Sequence, residues 1–320
     1  MKCTNKIALL LVCPMLLIGG CGSNNIPLSY EKSNSVSVTE LDSKAISFAS
    51  ELAVTNEDVA ALNGAQVEEG SAGGLIDVNG KEVLYAKDIH KQMYPASLTK
   101  VLTALVALKY GNLDDVITCT DNVTKLESGA TTCGLKSGDM LTLEQALHFL
   151  LLPSANDAAV AIAEHIGGSV EGFSEMMNEE AVALGATNSN FVNPHGLNNE
   201  EHYTTAYDMY LITNEAIKYD KFNEIINLTE YEADIRNSEG ESRTISVKSS
   251  NKFLDGSYES PAGITVIGGK TGTTAAAGSC LILETLDSKG NPYISIIMKA
   301  SERDLLYQEM ISILEDINQR

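Results

Sequence analysis

Apolar residues along this chain change their spacing several times, and each change predicts a different kind of element. The run IALLLVCPMLLI (7–18) is almost unbroken, yet too short to cross a bilayer comfortably. From Gly22 to about Thr55 apolar positions thin out into GSNNIPLSYEKSNSVSVTELDSK, which buries too little to fold alone and predicts a flexible tether. Firm patterning begins at SAGGLIDVNGKEVLYAKD (71–88). There Asn79-Gly80 stands between two apolar runs, and both residues accept positive φ, so a β-hairpin is predicted.

The spacing then turns helical. Pro95 pre-sets a helix start, and LTKVLTALVALKYG (98–111) stays apolar on nearly every side until Gly111, which predicts a helix buried all round. TLEQALHFLLLP (142–153), NDAAVAIAEHIGG (156–168), FSEMMNEEAVALGA (173–186) and TAYDMYLITNEAIKY (205–219) continue the helical block. After about residue 220 the period shortens to that of strands, in RTISVKSSNKFL (243–254), GITVIGGKTGT (263–273), GSCLILETL (278–286) and PYISIIMKAS (292–301). Helical spacing returns in RDLLYQEMISILEDINQ (303–319). This order predicts an α+β domain over 56–320, a mixed sheet with a helical lobe at about 97–220 inserted in its middle.

The N-terminus adds a location. Lys2 and Lys6, the apolar run, and Gly19-Gly20 before Cys21 predict a signal peptide over 1–20. The ending Ile-Gly-Gly-Cys resembles a bacterial lipobox. That resemblance implies cleavage before Cys21, a lipid on its sulfur, and a lipid-anchored tether over 21–55 at the extracytoplasmic face of the cell membrane.

Charge and cysteines exclude some partners. The chain carries a formal charge of −21, and losing residues 1–20 removes two basic residues and no acidic ones. Such a surface repels nucleic acid and anionic headgroups, and no basic patch interrupts it. Beyond the signal and Cys21, three cysteines remain: Cys119, Cys133 and Cys280. Cys119 and Cys133 flank a polar loop, and whether they are bridged stays open. The histidines are scattered without metal-ligand spacing, so no metal and no cofactor are expected.

Three short motifs carry the chemistry. PASLTK (95–100) sets Ser97 and Lys100 one helical turn apart, on one face of a buried helix start. A serine hydroxyl is a weak nucleophile until a neighbour takes its proton, and a lysine does so only when burial or a nearby cation keeps it neutral. The helix start also offers free backbone N–H groups to a developing oxyanion. PSAN (153–156) places Ser154 and Asn156 in a turn between two helices, and GGKTGT (268–273) places Lys270, Thr271 and Thr273 on a glycine-flanked strand. Each is weak alone. Together and in this order they match the set of penicillin-interacting serine enzymes.

On these motifs, and on FVNPHGLNNEEHYTTAYDM and GGKTGTTAAAGSCLI, the sequence resembles the serine D-alanyl-D-alanine carboxypeptidases, the low-molecular-mass penicillin-binding proteins, over roughly residues 65–300. The resemblance implies a serine β-lactamase/transpeptidase-like fold, an antiparallel sheet flanked by helices with an inserted helical lobe. It implies removal of the terminal D-alanine of peptidoglycan stem pentapeptides through an acyl-enzyme, with β-lactam antibiotics as covalent inhibitors.

Carried over by position, Ser97 is the nucleophile, Lys100 the general base, and Ser154 the proton relay to the leaving nitrogen. Asn156 holds the substrate's peptide group. Lys270 binds the terminal carboxylate and keeps Lys100 neutral, with the Thr271 and Thr273 hydroxyls nearby. The N–H groups of Ser97 and Thr273 form the oxyanion hole. His195 is expected to pack its loop and Asp208 to cap or brace a helix start. Many relatives carry a second β-rich domain and a C-terminal amphipathic helix; neither is expected after the last β segment here.

Two other readings compete. A serine β-lactamase shares two of the motifs, but the commonest class has Asp where Ala155 stands and a downstream glutamate for deacylation. Glu200 and Glu201 lie in an unlike NNEEHY context. A non-catalytic surface protein on the same fold would have no need of an intact Ser97, Lys100, Ser154, Asn156 and Lys270.

Overall fold

The alternation at 71–88 forms its hairpin, but through a different turn from the one expected. In this computed structural model, which describes residues 48–320, strands β1 (Ala72–Asp77) and β2 (Glu82–Lys87) pair antiparallel. Neither Asn79 nor Gly80 adopts positive φ; Lys81 does, at 55°. Gly80 is needed for space, since its N–H donates to Asp77 Oδ1 at 2.6 Å and a Cβ there would stand 2.6 Å from Asp77 Oδ2. The signal peptide, Cys21 and nearly all of the tether lie outside the described residues.

Helix α1 (Thr99–Tyr110) follows a 3-10 turn at Ala96–Leu98 and is buried without a break from Thr99 to Ala107. Its apolar surround thus becomes the centre of the core, where truncating Leu102 or Leu105 to Ala costs about 2–5 kcal/mol. It stops at Gly111, whose backbone turns extended (ψ 170°), and the packing there needs glycine, since a Cβ would stand 2.4 Å from Leu143 Cδ2 and 2.8 Å from the Ala107 carbonyl. Short strands β3 (Val116–Thr118) and β4 (Met140–Thr142) come next. Helix α2 (Leu143–Leu151) then starts from a capping box in which Thr142 and Gln145 satisfy each other's backbone N–H. Helix α3 (Asn156–Gly167) ends at Gly168 in the left-handed conformation (φ 73°), and Ser169 caps α4 (Val170–Ala183).

Helices α5 (Ala206–Ala216) and α6 (Asp220–Ile226) complete the lobe. Strands β5 (Glu230–Arg236) and β6 (Ser242–Lys248) form a second hairpin, and β7 (Thr265–Thr274), β8 (Gly278–Leu286), β9 (Pro292–Ala300) and α7 (Arg303–Glu315) end the chain. The main sheet runs β2-β1-β9-β8-β7, and every pairing in it is antiparallel.

The expectation of a mixed sheet holding all the β segments therefore changes in two ways. No parallel pair occurs among the described residues, and the 243–254 segment joins a separate four-stranded sheet, β3-β4-β5-β6. Two apolar clusters sandwich the main sheet: one links it to the helical lobe, the other lies under α7. The α+β fold with an inserted helical lobe is as the motifs implied. Edge strand β7 lies against the 3-10 turn that carries Ser97.

Candidate active site

Ser97 sits at a point of backbone strain. Ala96, just before it, has φ 47°, a left-handed value that an L side chain adopts at a cost of about 1–3 kcal/mol. Close packing enforces it. A Cβ on Gly272 of β7 would stand 2.9 Å from the Ser97 nitrogen and 3.1 Å from the Leu98 nitrogen, so only glycine lets the strand approach the turn this closely. A Cβ on Gly196 would stand 1.8 Å from the Ala96 carbonyl oxygen. The motif glycine and the glycine of NPHGL clamp the serine's turn from two sides.

Lys100 is fully buried, with its Nζ 2.9 Å from Ser97 Oγ, 2.6 Å from Asn156 Oδ1 and 2.6 Å from the His195 carbonyl. The charged amine donates to all three, whereas the neutral amine donates to the last two and turns its lone pair to the Ser97 hydroxyl. No carboxylate is among its partners. Burial holds its pKa well below the usual lysine value, and the nearby Lys270 pushes it further in the same direction; Asp157 opposes. Lys270 is also buried, is pushed down to about 7 by burial, and donates to the Thr271 carbonyl at 2.7 Å.

Ser154 occupies the turn before α3 with φ 69°, and its Oγ is buried without a hydrogen-bond partner. Asn156 is buried, with its N–H donating to the Thr131 carbonyl at 2.8 Å. A cavity of about 200 Å³ brings together Ser97, Asn156 and Thr273 with Thr131, Gly196 and Leu197. Thr271 lies elsewhere: its hydroxyl is 2.6 Å from Ser250 Oγ, and it lines an adjoining cavity of about 220 Å³ that Thr273 also borders.

Several contributors escaped the sequence reading. The NPHGL loop was expected to pack, but its His195 carbonyl is a partner of Lys100. The His195 ring is held neutral, its pKa pushed down to about 3 by burial and then by Lys100, and it accepts from the Leu197 N–H at 3.1 Å. Asp157 is buried and accepts from the backbone N–H groups of Cys133, Gly134 and Leu135, pinning the loop that carries Thr131. Its position just after PSAN was the available signal. Arg303, opening α7, lines the 220 Å³ cavity beside Thr271.

Asp208 braces rather than caps: Thr205 caps α5, and Asp208 Oδ2 accepts from Asn188 N and Ser189 Oγ. Glu200 lines a different cavity from Ser97. Cys119 and Cys133 are separate thiols, with Cys133 Sγ 3.6 Å from Asp157 Oδ1. No cluster of residues suited to a metal ion occurs among the described residues.

A buried lysine touching a strained serine, between an antiparallel sheet and a helical lobe, defines the penicillin-binding class of serine enzymes. Comparison with known proteins narrows this. A family model described as D-alanyl-D-alanine carboxypeptidase matches residues 58–302. The Bacillus subtilis D-alanyl-D-alanine carboxypeptidase DacF is 34% identical over 242 residues, covering 73% of this chain and 58% of that protein. The Escherichia coli enzyme DacC is 30% identical over 253 residues, covering 75% and 59%.

Among solved structures, a Streptomyces DD-transpeptidase superposes with a TM-score of 0.71 at 27% identity, over 83% of this chain and all of that one. A Mycobacterium tuberculosis D-alanyl-D-alanine carboxypeptidase gives 0.70 at 26%, over 82% and 97%. The chain belongs to the D-alanyl-D-alanine carboxypeptidase family of serine peptidases. It spans a little under three fifths of the length of the two relatives named.

Proposed function

We propose that the protein removes the terminal D-alanine from peptidoglycan stem pentapeptides by way of an acyl-enzyme on Ser97. The observation that carries this reading is the 2.9 Å contact between Ser97 Oγ and a buried Lys100 whose environment favours the neutral amine. Lys100 takes the hydroxyl proton as Ser97 Oγ bonds to the carbonyl carbon of the penultimate D-alanine. The oxyanion is met by the N–H groups of Ser97 and Thr273, a contribution of typically ~3–4 kcal/mol per donor. Collapse breaks the C–N bond, and the proton held by Lys100 passes through the Ser154 hydroxyl, which makes no other protein hydrogen bond, to the leaving nitrogen, leaving Lys100 neutral again. Water then attacks the ester, giving its proton to Lys100; the bond between Ser97 Oγ and the carbonyl carbon breaks, Oγ takes that proton back, and the shortened peptide departs.

Asn156 holds the donor peptide group, and Lys270 with the Thr271 and Thr273 hydroxyls receives the terminal carboxylate. Arg303, beside Thr271, offers that carboxylate a second cation. A β-lactam enters the same path and stays attached, because its opened ring does not leave. A lipid on Cys21 would hold the enzyme at the outer face of the membrane; among the described residues no helix is long and apolar enough to cross one.

Incubation with a fluorescent penicillin and with a pentapeptide tests the reading. A stable adduct and release of free D-alanine, both lost in Ser97→Ala, are expected. Rapid turnover of the penicillin would make the protein a β-lactamase instead, and no reaction with either would leave a binding protein.

A further inference from the structure

The strained turn before Ser97 is held by a residue far away in sequence. Ala96 and Ser97 share one peptide unit, and it is trans, like every other among the described residues. The Ala96 carbonyl and the Ser97 N–H therefore point in opposite directions, and whatever fixes the carbonyl also aims the N–H. The carbonyl accepts twice from Thr99, from its backbone N–H and from its hydroxyl at 2.8 Å. Thr99 is fully buried, and its Oγ1 also lies 2.8 Å from Nε2 of His202, 103 residues further along the chain.

The direction of each bond follows from its partners. A carbonyl only accepts, so the single hydroxyl proton of Thr99 goes to Ala96. Thr99 Oγ1 is left as the acceptor towards His202, whose Nε2 must carry a proton. The other ring nitrogen agrees, because Nδ1 accepts the Val192 N–H at 3.1 Å and so carries none. The His202 ring is buried, edge-on to Phe191 at 5.5 Å. Burial, and then the Lys100 charge, pushes its pKa down to about 4, so the ring is neutral and has one N–H to give. The result is a one-way chain of donors, from Val192 N–H to His202, from His202 Nε2 to Thr99, and from the Thr99 hydroxyl to the Ala96 carbonyl.

The same chain fastens the loop that serves Lys100. The bond from Val192 to His202 closes the base of the segment holding Pro194, His195 and Gly196. Inside that segment the Pro194 carbonyl accepts from Thr103 Oγ1 at 2.6 Å, and the His195 carbonyl meets Lys100. Gly196 covers the Thr99 hydroxyl closely, since a Cβ on it would stand 2.8 Å from Oγ1.

We propose that Thr99 and His202 are positioning residues for the oxyanion: their brace holds the peptide plane that aims the Ser97 N–H at the carbonyl oxygen under attack. Neither residue lines the Ser97 cavity, so both act through the turn. The inference rests on the carboxypeptidase reading, which makes the Ser97 N–H an oxyanion donor.

The test uses two esters of the same N-acyl-D-alanine that differ only in whether the reacting carbonyl is C=O or C=S. Sulfur is a weak hydrogen-bond acceptor, so the C=O over C=S ratio of kcat/KM reads the oxyanion contacts and cancels any general loss of folded enzyme. Thr99→Val keeps the shape of the side chain and removes the hydroxyl. It should lower kcat/KM about 10- to 100-fold on the C=O ester and only about threefold on the C=S ester, less than the loss of a whole oxyanion donor. Thr99→Ser restores the hydroxyl and should restore the ratio. His202→Phe keeps the ring packing, removes the donor and should lower the ratio in the same direction, whereas His202→Gln, whose amide N–H reaches Thr99, should lower it less. An equal loss on both esters, or a ratio unmoved in Thr99→Val or His202→Phe, overturns the brace and leaves the carboxypeptidase reading intact. A native chain that turns over neither ester and takes up no penicillin overturns that reading, and the brace with it.

Discussion

Gly196 stands so close to Ala96 that a Cβ on it would sit 1.8 Å from the Ala96 carbonyl oxygen. Gly196 also has φ 84°, so a side chain would be strained in itself. Gly196→Ala should push the NPHGL loop off the serine's turn and drag the His195 carbonyl from Lys100. Displacements near 1 Å cost about 100-fold in rate. Penicillin acylation should slow by at least that much, while circular dichroism keeps the native helix content. Unchanged acylation would mean the loop does not position the base.

Lys270 and Asp157 act on Lys100 with opposite signs. The Lys270 charge lowers the Lys100 pKa, so Lys270→Gln should raise it and move the acid limb of the acylation profile to higher pH. Asp157 raises the Lys100 pKa, so Asp157→Asn should move the limb to lower pH. That variant should also lose about 1–3 kcal/mol of stability, since its carboxylate accepts the Cys133, Gly134 and Leu135 N–H groups. Limbs that moved the same way in both variants would contradict the assigned electrostatics.

The Lys270 variant should also discriminate between substrates. Losing a charge-assisted hydrogen bond costs about 10- to 150-fold on peptides with a free C-terminal carboxylate, and less on an amidated analogue. An equal loss on both would make Lys270 part of the bond-breaking step.

Ser154 separates activity from stability. Its hydroxyl is buried and makes no protein hydrogen bond, so removing it breaks none. Ser154→Ala should leave the melting temperature unchanged or raise it, yet slow acylation by about 100- to 10,000-fold, the range for a lost proton-transfer group. A drop in stability equal to the drop in rate would point to a structural role.

The cysteines offer a chemical check. Burial pushes Cys119 up to about 12 and Cys280 up to about 11, and Cys133 is raised by burial and by Asp157. Alkylation at pH 8 should be slow in the native protein. After denaturation without reductant, the peptides holding Cys119, Cys133 and Cys280 should all label; a Cys119–Cys133 cross-link would refute the separate thiols.

Local features were legible in the sequence, and distant contacts were not. The stops at Gly111 and Gly168 and the strands β7, β8 and β9 follow from spacing and turn chemistry. The hairpin β5–β6 was half missed: in EYEADIR the buried Ala233 and Ile235 alternate with exposed charges, a faint signal beside the strong helix before it. β3 and β4 have three residues each, too few for a period to show. The candidate site residues were legible because PASLTK, PSAN and GGKTGT are short motifs. The His195 carbonyl lies 95 residues from Lys100 and is a backbone atom, so no side-chain pattern announces it.

The buried lysine pair has a consequence for the whole molecule. Lys270 titrates near 7 when folded and near its ordinary value of 10.5 when unfolded, so between those values the unfolded chain binds more protons. Folding in that window therefore releases protons to the solvent, and the heat of folding depends on the ionisation enthalpy of the buffer that receives them. Stability contributed at this position grows as the medium turns alkaline and stops changing once the pH falls below 7. Lowering the pH from about 10.5 toward 7 therefore withdraws stability at Lys270, in a range where carboxylates stay ionised.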